Sequence, residues 1–255
     1  MTTRRTQPHR ARLALTVTML LLTLPVAAQV TGQDAADFLA TTLNTPDTTM
    51  AGIAALAGTA EDADLKPIFK ALATSDRKEA RLFAVTAIPT ALGEAGDDLL
   101  VDRLKNDPLM SIRAEAMAQL IARDAATNAI LRYAVTIDDE PIQLMAGKAL
   151  VREGEVAFAV NTLTTLTGST DVDLAANARL TLLETGDATQ LTSLRAYVAA
   201  DDTHPLAIEL LLSQIRDQGT TAAEPIVDDV LARETLPAAL SVQAHRALVA
   251  IASDT

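Results

Sequence analysis

The sequence predicts an all-α protein, an α-solenoid of about seven two-helix units forming a curved superhelix, and three observations carry that prediction. Ala and Leu dominate the 49% of residues that are hydrophobic, while the β-branched alternation that marks strands is scarce. An acidic residue recurs every 29 to 32 positions, at Asp47, Asp76, Asp107, Asp139, Asp171, Asp202 and Glu234. Glycines recur in step with the acids, at Gly58, Gly93, Gly154, Gly186 and Gly219, with Asp124 taking that place in the third unit. A helix pair cannot bury its apolar face alone, so a period of this length implies units stacked on one another.

The stretch from Asp107 to Asp124, D-P-L-M-S-I-R-A-E-A-M-A-Q-L-I-A-R-D, shows the grammar of one second helix. Asp107 suits an N-cap and Pro108 the first helical position, and Leu109, Ile112, Ala116 and Leu120 share one face at helical spacing. Along the chain the same grammar predicts first helices over 34–43, 65–73, 97–105, 126–135, 156–166, 189–199 and 223–233. Their partners are expected over 48–57, 77–92, 109–122, 141–152, 172–185, 205–218 and 237–252. The acids mark the turn within each unit, and the glycines supply a left-handed residue where each second helix stops. Pro89 should kink or shorten its helix, whereas Pro225 sits early enough in its own to be tolerated. Small residues such as Ala116 and Ala118, Ala146 and Ala149, and Ala175 and Ala178 favour close helix approach.

Residues 1–28 read as a secretory signal peptide: Arg4, Arg5, Arg10 and Arg12 precede the apolar run from Leu13 to Leu24, and Val26 and Ala28 stand at −3 and −1. The apolar run is short for a spanning helix, which needs about 20 residues. Cleavage between Ala28 and Gln29 is expected to leave residues 29–255 as one continuous array, exported to the periplasm or outside the cell and soluble, with no integral membrane segment. The chain has no cysteine, so disulfides, thiolate metal sites and a lipid-modified cysteine are excluded.

The net charge of −12 includes the four leader arginines, so the cleaved chain carries −16. That balance argues against nucleic acid and anionic membrane surfaces, which require clustered Lys and Arg. Aromatics are only 2% of the chain and tryptophan is absent, which leaves no stacking platform for bases or sugars.

The patterns Asp107-x5-Arg113-x2-Ala116-x3-Leu120 and Asp76-x4-Arg81-x2-Ala84-x3-Ile88 resemble HEAT repeats, in particular the short kind of phycobilisome-lyase-like proteins, over residues 34–255. The resemblance implies an Asp–Arg ladder between adjacent units. Here the arginine is replaced by Leu144 or Met145 in the next unit and Arg179 is displaced in the one after, so the ladder is confined to the Asp76 and Asp107 units. It also implies a scaffold that binds a protein or peptide, with second helices lining a concave face. Glu115, Gln119 and Lys148, on the outward faces of second helices, are then the candidate binding residues. Tetratricopeptide arrays need recurring aromatics that this chain lacks, and Thr203-His204-Pro205-Leu206 offers the ankyrin residue types once and in the wrong order.

No constellation of catalytic residues appears. His204 and His245 are the histidines left after cleavage, without H-E-x-x-H spacing, and no G-x-S-x-G, P-loop or dinucleotide loop occurs. The turn acids Asp138-Asp139, Asp171-x-Asp173 and Asp201-Asp202 could be read as calcium ligands, but no twelve-residue calcium loop is present and helix capping explains them better. The reading is therefore a non-enzymatic scaffold without cofactor or metal, whose partner is a protein or peptide with a basic segment. The alternative is a regulatory module associated with an enzyme, or a calcium-stabilised repeat protein. The expected processing is checked by intact mass: the exported protein should begin at Gln29, and a species retaining Leu13 to Leu24 in the membrane would contradict it.

Overall fold

The computed structural model describes residues 62–233 and 235–253, all helix and turn with no strand among them. The expected leader, the expected helices over 34–43 and 48–57, and the turn residues Asp47, Gly58 and Glu234 lie outside the described residues. In order, the helices are α1 (Asp62–Ala73), α2 (Lys78–Ala91), α3 (Asp97–Asn106), α4 (Met110–Ala122), α5 (Asn128–Ala134), α6 (Glu140–Arg152), α7 (Val156–Leu166), α8 (Val172–Glu184), α9 (Leu191–Ala199), α10 (Pro205–Gln218), α11 (Glu224–Leu231) and α12 (Ala238–Ser253). Helices α7 and α10 have the expected bounds, while α1 begins three residues early. The first turn expected over 189–199 is taken by a 3-10 segment, Ala188–Gln190. The chain divides into two compact units at Ala125 and Ala126, where the sequence reads as one continuous array.

The recurring small residues act as helix terminators. Gly93, Asp124, Gly154, Gly186 and Gly219 have φ of 55°, 54°, 78°, 96° and 62°. This left-handed conformation turns the chain back so that the next N–H reaches a carbonyl one turn below: Ala125 to Leu120 at 2.9 Å, Glu155 to Leu150 at 2.8 Å and Asp187 to Leu182 at 3.1 Å. Asp is one of the few side chains that tolerates this region, which is why Asp124 can stand in for glycine.

The turn acids share less than the sequence suggests. Asp139 caps α6 by accepting from the Ile142 N–H at 3.0 Å, and Asp171 caps α8 by accepting from Asp173 and Leu174. At α10 the capping group is His204, whose Nδ1 accepts from the Leu206 N–H at 3.2 Å, and not Asp202. At α2 the N-cap is Arg77, whose side chain does not cap the helix. The helix expected over 109–122, with Asp107 as its N-cap and Pro108 in its first turn, begins at Met110 with Leu109 as N-cap, and Leu109 is exposed. Pro89 does not end α2, which runs on to Ala91. The ring deprives only the Val85 carbonyl of its usual donor, and the Leu92 N–H still closes the helix on the Ile88 carbonyl at 2.9 Å.

In the first unit, α1 packs on α2, α3 on α4, and α2 on α4. Ile112, Ala116, Met117 and Leu120 give α4 its buried stripe. Asp107, which leaves α3 and enters the turn before α4, is 3% exposed. Its carboxylate accepts from Arg81 Nε at 2.8 Å and Nη2 at 3.4 Å, from Arg103 Nη1 at 3.5 Å and from the Leu109 N–H at 3.0 Å. Arg81 also donates to the carbonyls of Ser75 and Asp76. One guanidinium thus joins the turn after α1, the body of α2 and the α3–α4 corner. Arg113, the arginine of the next unit, instead donates to the Leu104 carbonyl at 2.8 Å.

In the second unit the second helices form a row, α6 on α8, α8 on α10 and α10 on α12, and the first helices α9 and α11 also pack together. Gly147 on α6 sits so close to α7 that a Cβ would stand 3.0 Å from Leu163 Cδ2. Ala146, Ala149, Ala175 and Ala178 are all buried, as close packing of these helices requires. The core toward the C-terminus is built on Leu180, Leu183, Ile208, Leu212, Ile215, Ile226, Val230, Ala244 and Ile251.

Removing one partner of a buried ion pair leaves the other charge stranded, so Asp107→Ala should cost about 3–5 kcal/mol, whereas Glu115→Ala on the half-exposed side of α4 should change stability by less than about 0.5 kcal/mol. Urea denaturation of the two variants checks the pair; equal midpoints would show that the Asp107 network contributes nothing.

Candidate functional site

The candidate residue Lys148 lies on the same face of the second unit as side chains from two further second helices. Small neighbours make this possible: Ala146, Gly147 and Ala149 leave Lys148 as the long side chain of its turn of α6. Its Nζ donates to Gln214 Oε1 on α10 at 2.6 Å, reaching past α8. The Gln214 amide passes the bond on, its Nε2 donating to Glu184 Oε1 at the end of α8 at 3.1 Å. Lysine, amide and carboxylate therefore form a chain across three consecutive helices of the row, and all three are half-buried.

Burial sets the electrostatics of this chain. It pushes the Glu184 carboxyl up to about 7, against the hydrogen bonds from Gln214 and Gln218 and the positive charges of Lys148 and Arg152. It also lowers the Lys148 ammonium, with Arg152 adding to the effect and Glu184 opposing it. For both groups desolvation outweighs the opposite charge nearby, as expected when the partner is bridged by an amide and not in direct contact.

Glu115 and Gln119, the other two candidates, lie on α4 in the first unit and bond each other, Gln119 Nε2 donating to Glu115 Oε1 at 2.7 Å. This is an ordinary i, i+4 pair on a helix surface. The structure thus draws Lys148 into a polar cluster and pairs the other two with each other. Glu184, Gln214, Gln218 and Arg152 were not singled out by the sequence, because no local motif joins residues 30 and 66 positions apart. The signal that could have found Gln214 is the spacing of the turn acids, since Asp139 and Asp202 are 63 residues apart and the 66 residues from Lys148 to Gln214 exceed that by about one helical turn.

Three of the turn acids considered as cation ligands use their oxygens within the fold. Asp139 and Asp171 cap helices, and Asp173 accepts from the Tyr197 hydroxyl at 2.7 Å. Among the described residues no three His, Asp or Glu side chains converge on a point that could hold a metal ion. No helix among them is long and apolar enough to cross a membrane.

The raised Glu184 carboxyl makes stability depend on pH. Between the usual glutamate range and about 7 the folded chain holds a proton that the unfolded chain has released, so stability should fall as pH rises through that window, by up to about 3 kcal/mol, and level off above it. Glu184→Gln should remove this slope and be the more stable form at pH 8. Thermal unfolding of both proteins from pH 4 to 8 checks it, and parallel profiles would contradict the burial of the carboxylate.

No protein-family model matches the chain, and no curated protein is similar to it. Two engineered proteins solved by the Northeast Structural Genomics Consortium are similar in structure. One shares 19% identity over 85% of this chain and 68% of its own, with a TM-score of 0.45. The other shares 21% identity over 86% of this chain and 97% of its own, with a TM-score of 0.35.

Proposed function

We propose that the protein is an exported, non-enzymatic α-solenoid of HEAT-like two-helix repeats whose second helices present the face that holds a protein or peptide partner. The observation that carries this reading is the row α6, α8, α10 and α12, in which side chains of three successive helices, Lys148, Gln214 and Glu184, meet on one face. A row of packed helices offers a surface, not an enclosed pocket, and surfaces of this kind suit extended partners. The Arg81–Asp107 pair supports the HEAT-like reading, because it joins the Asp76 and Asp107 units where the resemblance implies a ladder. The basic leader and its small-residue end support export. No second reading is favoured, since Asp139 and Asp171 serve as helix caps and Asp173 accepts from the Tyr197 hydroxyl.

The charge of the cleaved chain gives the partner its character: a basic segment is drawn to a surface where acids outnumber bases. Affinity capture from the cell envelope identifies the partner, and stopped-flow association then tests the reading. The association rate should fall about tenfold or more from low to high ionic strength. A rate indifferent to salt would exclude steering by acidic charge.

A further inference from the structure

Helix α12 is apolar on two faces, and the packing of the second unit uses one of them. Leu240, Ala244, Ala247 and Ile251 are buried, at the i, i+4, i+7 and i+11 positions that face the neighbouring helices α10 and α11. About half a turn away, Val242 is 51% exposed and Val249 70% exposed. Between them stand His245 and Arg246, so the outward stripe reads apolar, imidazole, guanidinium, apolar at i, i+3, i+4 and i+7. These residues line a shallow groove along α12, completed by Ser241 and Ala250 and bounded on the α10 side by Arg216.

The charge of the groove is opposite to that of the chain. The chain has 33 acidic against 21 basic residues, yet no carboxylate lines the groove. Arg216 is partly neutralised, with Nη2 2.6 Å from the Asp217 carboxylate. Arg246 makes no ion pair among the described residues and is exposed. His245 Nδ1 lies 2.7 Å from the Ser241 carbonyl, which can only accept, so Nδ1 carries the hydrogen and Nε2 faces the groove as an acceptor, leaving Arg246 as the cation of the stripe. Two exposed valines at i and i+7 form the row into which the side-chain ridge of another helix fits, and the small Ser241 and Ala250 leave room for it.

We propose that this groove docks an acidic amphipathic helix of a partner protein, its apolar ridge against Val242 and Val249 and its carboxylates against Arg246. The occupant follows from charge complementarity: a basic helix would meet Arg246 unpaired, and an uncharged apolar one would leave it without a counter-ion. The proposal rests on the reading of the protein as a binding scaffold and adds a second surface, of opposite preference to the chain as a whole.

The test uses the cleaved full-length chain and a fluorescein-labelled helical peptide of about 18 residues, long enough for a stable turn pattern, with Leu at i, i+3, i+4 and i+7 and Glu elsewhere. Two controls carry Lys in place of Glu, or the same residues scrambled. By anisotropy the Glu peptide should bind saturably, the scrambled peptide should not, and Arg246→Glu and Val249→Ser should each weaken binding by about tenfold while circular dichroism stays unchanged. Arg246→Glu should also strengthen binding of the Lys peptide. No binding of the Glu peptide, equal binding of the scrambled peptide, or affinity untouched by both substitutions would overturn the proposal. So would a dimer in sedimentation that Val249→Ser abolishes, because the groove would then belong to a second copy. These outcomes concern α12 alone; failure of the wider scaffold reading would appear instead as a captured partner whose association ignores salt.

Discussion

A helix of ten to fourteen residues with one apolar stripe has nowhere to put that stripe except against another helix, and the structure follows from this constraint. In the later unit α8 is flanked by α6 and α10, and α10 by α8 and α12, and small residues on the buried faces set how near they come. Gly147 shows how little slack there is: a single methyl at that position would press on Leu163. Where helices pack this closely, side chains long enough to cross a neighbour can meet over it, and that is how Lys148 on α6 reaches Gln214 on α10.

Close packing leaves few ways to treat polar groups, and the two units use different ones. In the first, the Asp107 carboxylate is taken fully out of water and matched by two arginines and a backbone N–H, so nearly all its acceptor capacity is used. Such a site contributes geometry as much as energy, because the forked guanidinium of Arg81 fits only when the α1–α2 turn and the α3–α4 corner are in register. In the second unit the charges of Lys148 and Glu184 are half-buried and bridged by the Gln214 amide. There desolvation is not fully offset, and the Glu184 carboxyl stays near neutrality in its titration, whereas the directly paired Asp229, bonded to Arg195 at 2.6 and 2.9 Å, is held below the usual carboxylate range.

The helices were legible because the signals that define them are local. A glycine or aspartate in the left-handed region closes a helix through bonds to residues three to five positions back, and a sequence displays those spacings directly. The starts were less legible, since several groups compete to cap a helix: His204 displaced Asp202, and Leu109 displaced Asp107 once the arginines had claimed its carboxylate. Lys148 could be picked out as outward-facing, but its partners could not, because Glu184 and Gln214 come to it only through the stacking of two further units. The basic stripe of α12 escaped notice for a related reason: net charge averages over the chain, while a groove is defined by the seven side chains that line it.

Opposite electrostatic preferences on one molecule are compatible because they act over different distances. The excess of acids produces a field felt by an approaching molecule from afar, and at physiological ionic strength that field is largely screened beyond about 8 Å. Arg246 acts at contact, where a partner carboxylate sits within a few ångströms and little solvent intervenes, so a local pair can outweigh a screened repulsion. An acidic helix should therefore be slowed in reaching the protein yet held once seated, whereas a basic segment should arrive quickly and be retained only where an acidic face also offers apolar contact. Rate and residence time then report on different parts of the structure: the composition of the chain governs the first, and the exposed valines and arginine of α12 govern the second.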